Sequence, residues 1–236
     1  DLRTSRGLGD VYKRQTFIKL RSENFVPKND IIMLLTGDEE TGMQSIRYFR
    51  ENFDDVKKAA FALNSDGGFI AGTMESPEAF RLQSAEKVYL SYALTAENKG
   101  GHSSIPRDDN AIYDLVDALK RIEKYSFPIS LNQTTRATLE FALNDATDSN
   151  ANKINSILDE TGSELKLLKT DPEMNAMIRT TCVATKIKGG HAENALPVSA
   201  SATVNCRILP QSDPNKIFKK IRELAGNKVS VSPISE

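Results

Sequence analysis

An apolar run over 31–35 stops at Asp38-Glu39-Glu40, and Gly37 and Gly42 bracket the three carboxylates. No other stretch constrains the fold as tightly. A continuous run of Ile, Ile, Met, Leu and Leu suits a strand buried on both faces, as in a parallel sheet. Open α/β sheets gather their chemistry where such strands end. Adjacent carboxylates repel one another unless a cation holds them, which points to a metal site. The structural alternative is that the acids cap the helix next in the chain and complement its dipole.

Met43, Ile46, Phe49 and Phe53 recur at helical spacing after this turn. A second short apolar run, 59–63, ends in Asn64-Ser65-Asp66-Gly67-Gly68. Strand, helix and strand make a parallel βαβ unit that would bring Glu40 and Asp66 to neighbouring strand ends around one cation. Carboxylates suit zinc or manganese, although zinc sites usually include histidine. The two histidines, His102 and His191, lie elsewhere, each behind a Gly-Gly pair.

The pattern changes after about residue 83. Val88, Leu90, Tyr92 and Leu94 alternate with Tyr89, Ser91 and Ala93, the mark of a half-buried antiparallel strand. A helical stripe runs from Ile112 to Ile122, with Asp108 or Asp109 expected as its cap. Residues 130–178 read as a mostly helical insertion. Strands are expected over 180–187, 200–208 and 228–231. The last two flank a helix that Asp213-Pro214 opens and Gly226 stops. Strand-helix-strand-strand-helix-strand is the ferredoxin-like split βαβ order. The expected fold is thus α/β: a partial parallel-sheet domain over 16–84, then an α+β lid domain over 85–236. Residues 1–15 share no period with the residues after them and are expected to be a non-native, adapter-derived segment.

A net charge of −1 and 7% aromatic residues give no support to a nucleic-acid surface, and no apolar run approaches a membrane span. Cys182 and Cys206 are read as two small buried thiols. Arg207 stands on the polar side of its strand, where its guanidinium can grip a carboxylate.

Together, LLTGDEETG, ALNSDGG, KGGHSSIPRDDNAI, KGGHAENALP and NCRILP resemble one family, in its order and at compatible spacing. It is the zinc metallopeptidase family of aminoacylase, acetylornithine deacetylase, succinyl-diaminopimelate desuccinylase, glutamate carboxypeptidase and carboxypeptidase S, and the chain resembles the carboxypeptidase S-like branch most. The resemblance implies a catalytic domain followed by a lid and dimerisation domain. It makes Glu39 the general base, Glu40 and Asp66 ligands of two Zn(2+) ions (or Co or Mn), and Asp38 their outer support. It sends His102 to a partner subunit's active site to stabilise the oxyanion, and gives Asn194 and Arg207 the substrate's carboxylate. The implied substrate is a peptide or N-acyl amino acid, and the implied assembly is a homodimer through the lid. The family's early His-x-Asp, its bridging aspartate and its late histidine are absent, so only two of the ligands the family uses are expected here. The chain is therefore expected to be a fragment, inactive by itself. A non-catalytic relative, serving dimerisation or carboxylate binding, is the alternative.

Overall fold

The computed structural model describes residues 2–38, 41–64, 68–73, 75–159 and 171–234. The chain divides into two compact units, residues 1–83 and 84–235.

The first unit is built from local elements. Helix α1, Leu2–Ser22, runs unbroken through the segment expected to be foreign and beyond it. Its leucine, arginine, lysine and glutamine residues favour helix without needing an apolar stripe. Helix α2, Gln44–Asn52, comes after the acidic turn, and α3, Asp54–Lys57, continues it. Phe49 and Phe53 pack with their rings 5.2 Å apart, which gives the expected stripe its physical content.

The parallel βαβ unit is not formed among the described residues. Segments 31–36 and 59–64 carry no strand pairing. The strands present are β1, Gly68–Gly72, and β2, Pro77–Leu82, joined as an antiparallel hairpin. A parallel strand needs at least one paired neighbour and cover on both faces, and among the described residues 31–36 and 59–64 have no such neighbour. Ile31, Ile32, Leu35, Phe61 and Leu63 are accordingly exposed.

The second unit holds the continuous core. Its sheet contains β3, Val88–Glu97; β5, Thr181–Gly189; β7, Ser199–Ile208; and β8, Val229–Ile234, in the order β5-β7-β3-β8 with every neighbouring pair antiparallel. Helices α4, Ala111–Lys124, and α8, Pro214–Ala225, lie against one face. Alternation puts Tyr92, Leu94, Ala96, Ala202, Val204 and Ile208 on that face, against Leu115, Ala118, Ile122, Ile217 and Ile221. Each buried Leu or Ile contributes roughly 1.5–3 kcal/mol. The many alanines let the helix backbones come close to the sheet. The other face carries Ser91, Thr95, Ser201, Thr203, Asn205 and Arg207, whose side chains alternate away from the core.

Helix α4 is capped by Asn110, whose side chain accepts the Ile112 N–H at 2.9 Å, rather than by Asp108 or Asp109. Asp213 caps α8 as expected, and Gly226 ends it at φ 78°. The insertion forms α5, Gln133–Ala142; α6, Asp148–Leu158; and α7, Pro172–Ile178, around a second small core of Leu139, Ile154, Ile157 and Ile178.

The cysteines are not free thiols. Cys182 and Cys206 face each other on β5 and β7 and form a disulfide. Register alone brings them together; nothing in their spacing along the chain announces it. Among the described residues no helix is long and apolar enough to cross a membrane.

Candidate functional site

The first Gly-Gly-His motif meets the segment that follows the second at one end of the sheet. Strand β4, Gly101–His102, pairs with β6, Ala195–Leu196, placing His102 opposite Ala195. The Ser103 N–H donates to the Asn194 carbonyl at 3.0 Å, and the Asn98 N–H to the Val198 carbonyl at 2.8 Å. Gly100 turns the chain into β4 at φ 71°, and a Cβ there would fall 2.7 Å from Val198 Cγ1. Only glycine satisfies both conditions. His102 and Asn194, both exposed, thus lie at one short two-stranded pairing. His191, in the preceding loop, is exposed and outside the pairing.

The contacts of the His102 ring assign its neutral tautomer. Its Nδ1 accepts the Ser104 N–H at 3.2 Å and lies 2.8 Å from Ser104 Oγ. A ring nitrogen that accepts a backbone N–H carries no proton in the neutral imidazole, so the proton sits on Nε2. That nitrogen is the one able to donate to a developing negative charge.

A network that spacing did not reveal supports this turn. Arg107 grips Asp109 through two bonds, Nε to Oδ1 at 2.8 Å and Nη2 to Oδ2 at 3.0 Å. Asn98 Nδ2 donates to Asp109 Oδ2 at 2.9 Å, while Asn98 Oδ1 accepts the Gly100 N–H at 3.1 Å. The hydrogen bond from Arg107, with that from Asn98, lowers the Asp109 carboxyl to about 2. A carboxyl depressed in the folded state stabilises above its unfolded value and loses that contribution as pH falls through its folded one. The Gly100–His102 turn is therefore expected to stay ordered to about pH 4 and to loosen between about pH 4 and 2. Amide exchange at Gly100 and His102 measures this. Asp109→Asn should show the looser turn already at pH 7, and unchanged exchange in that variant would remove Asp109 from the role.

Arg207 lies at the opposite end of the same sheet. It is paired with Tyr89 near the start of β3, whereas His102 comes after the end of that strand. At about 3.3 Å per residue, the length of β3 from Tyr89 to Glu97 separates them by roughly 26 Å. The Arg207 guanidinium stacks on the Tyr89 ring, 4.6 Å from its centroid, with its side chain exposed. Lys87 lies beside it, Nζ 3.4 Å from Thr181 Oγ1. Burial first, and then the Arg207 charge, pull the Lys87 amine down to about 8. Asn194 and Arg207, expected to share one carboxylate, are therefore not neighbours within one chain.

Asp38 is engaged at the start of α2. Its carboxylate accepts the Ser45 N–H at 3.1 and 3.2 Å and the Ser45 hydroxyl as well, and that hydroxyl is the main reason its pKa is lowered. The N-cap position itself is Met43, so Asp38 satisfies a first-turn N–H from seven residues upstream. Glu39, Glu40 and Asp66 lie outside the described residues. Among the described residues no three His, Cys, Asp or Glu side chains are grouped to hold a metal ion.

Residues 84–231 match the peptidase dimerisation domain of the M20 family. The chain belongs to the M20 peptidase family. Over 230 residues this M20 chain is 27% identical to a carboxypeptidase S-like protein of Dictyostelium discoideum, covering 92% of the chain and 43% of that protein. It is 28% identical over 223 residues to the human N-fatty-acyl-amino acid synthase/hydrolase PM20D1, covering 89% and 43%. An M20 family metallo-carboxypeptidase from Sulfolobus solfataricus matches at TM-score 0.39 and 19% identity, covering 63% of this chain and 44% of that one. The chain spans less than half the length of these curated relatives.

Proposed function

We propose that this chain is part of an M20 hydrolase that cleaves an amide or peptide bond next to a free carboxylate, with an N-acyl amino acid or a peptide as substrate. The observation that carries the reading is the short β4–β6 pairing, which joins the first Gly-Gly-His motif to residues 194–196. It sets an imidazole with its proton on Nε2 beside Asn194, while Arg207 stands at the far end of the same sheet.

Within one chain these groups are too far apart to hold one small substrate. In a homodimer formed through the lid, His102 and Asn194 of one copy serve the site to which the other copy brings Arg207. Arg207 holds the substrate's carboxylate by a two-point, charge-assisted bond. His102 Nε2–H donates where negative charge develops on the scissile carbonyl oxygen. Glu39 takes a proton from the attacking water and passes it to the leaving amine.

Glu40 and Asp66 have the oxygen chemistry to bind zinc, cobalt or manganese. Two carboxylates are too few for a pair of zinc ions, which take about four ligands each, and no step here depends on a metal. We read residues 16–84 as belonging to a catalytic domain, whose parallel sheet would be completed by further chain. Such ions, when bound, would lower the pKa of the attacking water and polarise the carbonyl.

The test is Glu39→Gln in the complete enzyme that carries this chain. Hydrolysis of N-acyl amino acids is expected to fall by about 10²–10⁴-fold, the size of a general-base contribution. Metal content, measured by mass spectrometry, should not change. Retained activity would remove Glu39 from the role. A wild-type enzyme that binds metal but hydrolyses nothing would instead favour a non-catalytic, carboxylate-binding relative.

A further inference from the structure

The open face of the lid sheet carries a second cation that neither the sequence pattern nor the family motifs singled out. Lys87 precedes β3, and Tyr89, two residues on, faces the same way and pairs with Arg207 across the strands. Lys87 is thus the diagonal neighbour of Arg207, with backbones roughly 7–8 Å apart. Thr181, the partner of Arg207 on the other side, receives the long contact from Lys87 Nζ. Two cations are held together here, one stacked on an aromatic ring and one half-buried.

No carboxylate among the described residues forms an ion pair with either. Adjacent like charges without a counter-ion disfavour each other's charged form. Burial first, and then the Arg207 charge, lower the proton affinity of Lys87. An anion placed between them relieves the repulsion, and a ligand with two anionic groups relieves it at both ends. The fork of Arg207 suits a carboxylate in two-point contact; the Lys87 ammonium is a point charge that accepts a second acid with looser geometry.

We infer that Lys87 and Arg207 form a two-cation subsite for the end of a substrate that carries two carboxylates, as an acidic amino acid with a free α-carboxyl does. Lys87 is then a specificity-determining residue. The inference rests on the reading of Arg207 as the holder of the α-carboxylate and adds the chemistry of the neighbouring side chain.

The test uses the 236-residue chain, with N-acetyl-glutamate and N-acetyl-glutamine as probes. They are nearly the same shape and differ by one negative charge. Titrations at pH 7 and low salt, followed by amide and side-chain NMR shifts, give the two affinities. The chain is expected to prefer the glutamate by about tenfold, a typical gain for one added charge-assisted contact. Lys87→Met should abolish that preference while leaving the glutamine affinity within about twofold, and Lys87→Arg should restore it; Arg207→Met should weaken both ligands. Equal affinity for the two probes, or a preference that survives Lys87→Met, overturns the role of Lys87. It leaves the carboxylate reading standing provided Arg207→Met still weakens both. Binding of neither probe to the wild-type chain, or binding indifferent to Arg207→Met, overturns the carboxylate reading and this inference with it.

Discussion

Mixing a His102→Ala enzyme with an Arg207→Met enzyme is expected to restore activity that neither has alone. In the complete protein His102→Ala should lower kcat by about 10²–10³-fold, the usual cost of one oxyanion donor. Arg207→Met should lower kcat/KM by about 10–100-fold, through loss of a hydrogen bond to a charged group. The geometry makes the combination informative. His102 and Arg207 sit at opposite ends of β3 and β7, so each site would draw one from either copy. Random re-association of a two-fold dimer makes half the dimers mixed, and each mixed dimer has one site with both defects and one with neither. Recovery of about a quarter of the wild-type rate is the expected result. Co-refolding the two variants and assaying hydrolysis measures it. Activity no greater than the average of the separate variants would mean that both residues act in one chain's site, and the shared-dimer reading would fail.

The second large effect concerns Cys182–Cys206. The bond closes a sequence separation of 24 and ties β5, at the edge of the sheet, to β7 inside it. Closing a loop of that length in the unfolded chain corresponds to about 3.5 kcal/mol in the chain-entropy account. The double Cys182→Ala/Cys206→Ala variant is expected to lose about 3 kcal/mol and about 10 °C in Tm. Denaturant unfolding of wild type with and without reductant is the control. Reduced wild type should behave as the double variant does, and protein made in a reducing cytosol should start there. Wild type that is indifferent to reductant would show that the bond contributes nothing. β5 also carries Thr181, the partner of Arg207, so the reduced protein should bind carboxylate probes more weakly.

The lid was legible wherever one local rule governed the outcome. Alternation over 88–94 announced β3, and the stripe from Ile112 to Ile122 announced α4. Asp213-Pro214 and Gly226 marked the ends of α8. Local rules failed where two were available. Asn110 rather than its acidic neighbours caps α4, because Asp109 is turned toward Arg107 and Asn98 instead. The 31–35 run has the composition of a buried strand, but a strand needs partners, and the described residues offer it none.

Arg207 could be named from the chain because an arginine on a polar strand face is a local signal, whereas His102 and Asn194 were named by the family resemblance. The arrangement of the three could not be read from the chain. The sequence by itself determined which residue types are present, which face of each lid strand is apolar, and where its helices begin and end, because period and capping depend on neighbours a few positions away. Only the tertiary structure decided that Gly101–His102 pairs with Ala195–Leu196, that Cys182 meets Cys206, that Lys87 stands beside Arg207, and that His102 and Arg207 stand at opposite ends of one sheet. Each of these depends on strand register across more than twenty residues of intervening chain. Register is fixed by packing the whole apolar face at once, not by any segment alone.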